Sequence, residues 1–193
     1  MGSPSLASCG FHSDLLLLIY FVIIFSFAVS QSTFHYNSAY WSNTNSYNAP
    51  AWKTGFDAQE AKLPTYWNTP FTKICLGMKI GQQIKFVVIS KQASSLHSLI
   101  ADGQRRLTSL GRDSWISLMG SYASLQSGCN REGFNILSDD TTLGKARIGI
   151  IANNENDCAT CDTRMGFGTG GRHNDASTCG NQDQTAIGYI LVQ

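Results

Sequence analysis

From Leu15 to Ser30 the chain carries no charge, running Leu15-Leu16-Leu17-Leu18-Ile19-Tyr20-Phe21-Val22-Ile23-Ile24-Phe25 and then Ser26-Phe27-Ala28-Val29-Ser30. This stretch is shorter than the roughly 20 apolar residues a spanning helix needs. The small residues Ala28 and Ser30 suit processing before Gln31. Residues 1–30 are therefore expected to leave as a signal peptide, although Met1 to Asp14 contain no Lys or Arg and depart from the usual basic start. A retained anchor is the alternative; after cleavage no stable membrane insertion is expected. Secretion constrains all that follows, because an oxidising compartment turns cysteines into crosslinks.

With residues 1–30 gone, 163 of 193 residues remain, with Cys75, Cys129, Cys158, Cys161 and Cys179. Five is odd, so one thiol stays free, reduced or bridged to another chain. Cys75 and Cys129 can pair with each other or with one of the Cys158, Cys161 and Cys179 cluster, and sequence leaves that open. The length suits one domain able to bury a core. At 42% hydrophobic and 14% charged the chain is not disordered. The formal charge is +1 for the whole chain and about +2 without Asp14, with no dense run of Lys or Arg, which argues against nucleic acid as a partner. There is no Asn-x-Ser/Thr sequon.

Residues 31–62 form a leader rich in Asn, Ser and aromatics, without helical or strand period, whose rings are expected to pack onto the domain. The domain itself is assigned to 63–193. Strands are expected at Ile84–Ser90, Ala146–Ile151 and Ala186–Val192 from their β-branched and aromatic content. A short helix with a serine cap is expected over Ser94–Ile100, and a second from a capping Asp113 to Met119. The class is α+β, a single disulfide-stabilised domain with short helices, antiparallel strands and long loops.

Chemistry concentrates between Asn153 and Asp183. Glu155, Asp157, Asp162, Asp175 and Asp183 alternate there with Asn residues and the glycine run Gly166-Phe167-Gly168-Thr169-Gly170-Gly171. Hard oxygen donors on a pinned loop are what Ca²⁺ requires, although the spacing is not that of an EF-hand. A polar, disulfide-stapled loop without metal is the equal alternative. The glycine run has no following helix or βαβ context, so it is not read as a phosphate cradle. Cys158 and Cys161, with Cys179 and His173, have the makings of a zinc or redox site, but structural disulfides are the better reading outside the cell. Of the histidines, His12 leaves with the signal, His35 lies in the leader and His97 falls between Leu96 and Leu99; His173 alone sits among acids, with no local nucleophile to serve. An enzyme is not expected.

Several strings carry a resemblance: Leu63-Pro64-Thr65-Tyr66-Trp67-Asn68-Thr69-Pro70-Phe71, Ile74-Cys75-Leu76-Gly77-Met78, Ser98-Leu99-Ile100-Ala101-Asp102-Gly103, Ser109-Leu110-Gly111-Arg112-Asp113, Cys129-Asn130-Arg131-Glu132-Gly133-Phe134-Asn135, Arg147-Ile148-Gly149-Ile150 and the Asn154–Gly171 segment. Over about residues 50–193 the chain resembles secreted cnidarian proteins related to fibrinogen C-terminal domains, among them the uncharacterized skeletal organic matrix proteins of corals. It is more distantly similar to intelectins. That similarity implies a Ca²⁺ ion on the acidic loop, held by Glu155, Asp157 and Asp162, with His173 and the leader aromatics flanking a bound glycan diol. Unlike fibrinogen-type domains, the chain has no cysteine and no Gly-Gly-Trp between Gln31 and Lys62, and it is short for such a domain. The expected function is an extracellular, Ca²⁺-dependent, lectin-like domain whose partners are glycans or matrix components. The alternative is a structural part of an extracellular or skeletal, biomineralisation-associated matrix, with an intermolecular disulfide through the odd cysteine open in either case.

Overall fold

The structure, a computed structural model, describes residue 9, the backbone of residues 21–25, and residues 33–50, 59–160, 163–171 and 186–193. The described residues form eight strands: β1 (Phe21–Phe25), β2 (Phe71–Ile80), β3 (Gln83–Ala93), β4 (Arg106–Leu107), β5 (Gly128–Leu137), β6 (Lys145–Asn153), β7 (Thr163–Gly170) and β8 (Ala186–Val192). They build two antiparallel sheets, in the orders β1-β8-β2-β3 and β4-β5-β6-β7. Helices α1 (Thr65–Asn68), α2 (Leu96–Ile100) and α3 (Arg112–Met119) are short. The class is α+β with mostly antiparallel pairing. No helix among the described residues is long and apolar enough to cross a membrane.

One core joins the two sheets. Ile74, Leu76, Met78, Ile89, Ile190 and Val192 come from the first sheet, and Phe134, Ile148, Ile150, Ala152, Met165 and Phe167 from the second. Leu96, Leu99 and Ile100 of α2, Trp115 and Leu118 of α3, and Phe34, Trp41 and Tyr66 complete it. Among the described residues two disulfides are formed, Cys9–Cys75 and Cys129–Cys158, with Cα separations of 5.9 Å and 5.2 Å. Cys9 and β1 belong to the segment expected to leave as a signal peptide. In the uncut chain they are seated on the first sheet, β1 along the free edge of β8.

The three expected strands lie within β3, β6 and β8. Of the other five, β2, β5 and β7 are the long strands that the sequence pattern hides. In β2, Ile74 to Met78 are all buried, because core lies on one face and Cys9 and Leu191 on the other, so alternation disappears. Glycines disguise β7 as a loop. Gly133, Gly149 and Gly166 stand opposite one another across β5, β6 and β7. A Cβ on Gly149 would come within 2.3 Å of the Met165 carbonyl oxygen, and one on Gly166 within 2.2 Å of that of Ile148. No side chain fits in that row.

Helix α2 starts as expected. Ser95 accepts from the Ser98 amide at 3.1 Å while Ser98 Oγ accepts from the Ser95 amide at 3.3 Å, a reciprocal cap. Helix α3 differs. It starts at Arg112 after Gly111, and Asp113 stands in solvent instead of capping. The cap comes from another strand. Glu132 of β5, only 8% exposed, accepts from Gly111 N at 2.8 Å, Leu110 N at 3.0 Å, Thr108 Oγ1 at 3.0 Å and Trp115 Nε1 at 2.8 Å. A buried carboxylate with four donors at a helix start is satisfied and favourably placed in the helix dipole.

Glu132→Gln turns one acceptor into a donor that faces these same donors. It is expected to cost about 2–4 kcal/mol, read as a lower urea midpoint with unchanged slope in a Trp-fluorescence titration.

Candidate functional site

β6 ends at Asn153, and the chain then turns through 154–160 before β7. Asn153 is fully buried, and its side-chain amide donates to the Asp157 carbonyl at 3.2 Å, to Asp157 Oδ1 at 3.4 Å and to Thr160 Oγ1 at 2.9 Å. Its own Oδ1 accepts from the Asn154 amide at 3.0 Å. Asp157 Oδ1 also accepts from the Ala159 amide at 2.9 Å, an Asx turn inside the loop. The far side is held by Ser138, whose hydroxyl donates to the Cys158 carbonyl at 2.7 Å, and by Asp139, whose amide donates to the same oxygen at 2.8 Å. The Cys129–Cys158 disulfide ties this turn to β5. Arg131 donates to Asp139 at 2.8 Å, and that hydrogen bond holds the Asp139 carboxyl below the usual carboxylate range.

Glu155 and Asp157 are exposed on this framework. Glu155 Oε1 accepts from Asn154 Nδ2 at 2.6 Å, so the two acids turn to different partners within the loop. Among the described residues no three His, Cys, Asp or Glu side chains form a metal-holding group. Asp162, Cys161, His173 and Cys179, also named from the sequence, lie outside the described residues. Cys75 and Cys129 do not pair with each other; Cys129 takes Cys158, and Cys75 takes Cys9.

The leader supplies the neighbouring polar centre. Phe34 and Trp41 are 1% exposed, Phe34 lying edge-on to Trp41 and to Tyr47, so the leader aromatics pack as the sequence suggests. They enclose a residue that sequence analysis missed. Lys62 is 0% exposed and donates to the Tyr40 carbonyl at 2.6 Å, the Asn43 carbonyl at 2.7 Å and Asn43 Oδ1 at 2.8 Å. Its ammonium stands 4.7 Å from the Tyr66 ring centre and 5.5 Å from that of Trp67. Burial lowers its pKa to about 8, and three acceptors for three donors keep it charged at neutral pH. The sequence signal was slight: Lys62 is one of two lysines, with Lys53, in an aromatic-rich leader.

His97 hydrogen-bonds the Ser42 carbonyl at 3.0 Å and meets Tyr66 edge-on, a packed histidine. A second tie runs through Arg147 of β6. Arg147 donates to the Tyr36 carbonyl and to Asn135 Oδ1, both at 2.8 Å, and lies 4.4 Å over the Tyr36 ring. Buried Asn135 in turn donates to the Ile100 and Gln104 carbonyls, both at 3.0 Å.

Compared with family models, curated proteins and solved structures, the chain matches none.

Two outcomes follow from this geometry. Asn153→Ala removes the donor that closes the loop and is expected to cost about 1–3 kcal/mol, with the Cys129–Cys158 bond reduced faster by dithiothreitol in a thiol-trapping time course. For Lys62 the folded pKa lies below the unfolded value, so the unfolded chain holds more protons between about pH 8 and 10, and stability rises with pH there. Urea midpoints at pH 7 and pH 9 should show that rise in the native protein and lose it in Lys62→Met.

Proposed function

We propose that the chain is a secreted, extracellular ligand-binding domain, lectin-like, that takes glycans through a Ca²⁺ ion on the acidic loop after β6. One observation carries this reading. Glu155 and Asp157 are held at the surface on a turn braced from three sides: by Asn153, by Ser138 and by the Cys129–Cys158 disulfide. Ca²⁺ affinity depends on charge count and on how little the loop must reorganise, and this loop is organised before any ion arrives. Asp162 lies two residues beyond the described turn and is the third acid of the proposed set, with His173 and the leader aromatics beside the ligand. In this reading Glu155, Asp157 and Asp162 supply charge and oxygens. The glycan's vicinal hydroxyls complete the shell, and no bond is made or broken. The fibrinogen C-terminal and intelectin resemblance drawn from the sequence points the same way.

A structural component of an extracellular or skeletal matrix is the second reading. The inward bonds of Asp157 Oδ1 to Ala159 and Asn153 favour it, since they spend one acid on the loop's own shape.

Calorimetric Ca²⁺ titration of the EDTA-stripped, secreted protein separates the two. The lectin-like reading expects one saturable ion, a melting temperature that climbs with added Ca²⁺ as mass action requires, and loss of both in Asp157→Asn and in Asp162→Ala. Weak, multiple, salt-sensitive binding that ignores these substitutions moves the assignment to the matrix role.

A further inference from the structure

We propose that the free edge of β3 takes up an extended, acidic segment of another protein by strand addition, with one apolar side chain of that segment entering the groove between β3 and residues 107–110. The inference is independent of the Ca²⁺ reading above.

β3 is 11 residues long and stands last in its sheet, with β2 on one side and no strand on the other. Alternate main-chain N–H and C=O groups along that side point out of the ladder. Among the described residues, no main-chain hydrogen bond joins residues 83–93 to a turn or loop that would cap them. β4, only two residues long, is the corresponding edge of the second sheet. Between the two edges lies a groove of about 380 Å³, with residues 88–91 on one wall and 107–110 on the other. The second wall is fixed, because the Thr108 amide donates to the Glu132 carbonyl and the Leu110 amide to the Glu132 carboxylate. Leu107 stands in the groove 63% exposed, more open than any other large apolar side chain among the described residues.

A long apolar edge strand invites pairing, and its charges decide with what. From residue 61 to residue 101 the chain has no Asp or Glu, while Lys73, Lys79, Lys85 and Lys91 recur every six residues along the β2–β3 hairpin. Register gathers them at its two ends. Lys79 pairs with Ile84, next to Lys85, and Lys73 pairs with Ser90, next to Lys91. Lys73, Lys85 and Lys91 make no ion pair among the described residues. Between the two ends run Phe86, Val87, Val88 and Ile89, and six residues of strand span about 20 Å.

This pattern rejects a second copy. Pairing β3 with itself about Val88 sets each Lys85 against a Lys91, and like charges directly opposite destabilise a strand pair. A sulfated polysaccharide answers the lysines but has no row of donors and acceptors at the spacing of a strand. An extended peptide with acids about six residues apart and apolar residues between them meets the lysines, the open main-chain groups and Leu107 together.

The test uses the full chain, in EDTA so that Ca²⁺ has no part in the outcome, and a synthetic seven-residue peptide with aspartate at each end and alternating threonine and valine between. Calorimetry should show one saturable site, and hydrogen exchange should slow at alternate amides of β3. The same peptide with lysine ends, or with alternate amides N-methylated, should not bind. Lys85→Glu with Lys91→Glu should weaken binding about tenfold or more, and Leu107→Glu, a change at an exposed position, should weaken it too. The proposal is overturned if the acidic peptide does not bind, if the N-methylated peptide binds as well as its parent, or if protection arises away from β3. Heparin binding that the two lysine reversals abolish, without binding of the acidic peptide, also overturns it and gives the surface to a polyanion.

Discussion

A charge buried between two sheets has to find as many partners as it had in water, and the carboxylate of Glu132 does so by drawing in a whole segment. Its four donors span Thr108 to Trp115, so one side chain of β5 fixes the end of β4, the start of α3 and the tilt of the Trp115 indole. Trp115 is fully buried, and its placement decides how α3 closes the core over β3. Replacing such a group together with its partners by apolar groups of similar shape costs little in principle, whereas leaving its donors unmatched is severe. The fold depends on the match.

The leader is attached by the same logic. Residues 33–47 bring rings to the core, but their position is set by polar ties from distant elements: Lys62 to Tyr40 and Asn43, and Arg147 to Tyr36. Asn135 passes the second tie on to the end of α2 through Ile100 and Gln104. Hydrophobic burial gives most of the adhesion and little direction. The buried lysine, arginine and asparagine provide the direction.

How much of this was legible in the sequence varied with whether one face or two were covered. The segments of β3, β6 and β8 announce themselves by β-branched content, and α2 by Ser95. The strands β2 and β7 do not, because the first is buried on both sides and the second is interrupted by glycines that its neighbours require. In β5 the polar residues Asn130, Glu132 and Asn135 read as loop, yet Glu132 and Asn135 are among the most interconnected side chains of the core. The acidic loop was visible as composition. Which of its side chains turns inward was not, since Asn153 and Asn154 are indistinguishable until β6 places one of them under the loop.

The aligned glycines Gly133, Gly149 and Gly166 bear on how chains of this kind can vary over time. They meet across three strands only while the spans between them keep their pairing, and a one-residue insertion within β5, β6 or β7 would slip the row and turn every following side chain to the opposite face. Length can therefore drift in the turns around 138–144 and 154–160 but not in the strands. The acidic loop lies in one of those permissive turns, so its sequence can diverge without disturbing the sheet beneath it.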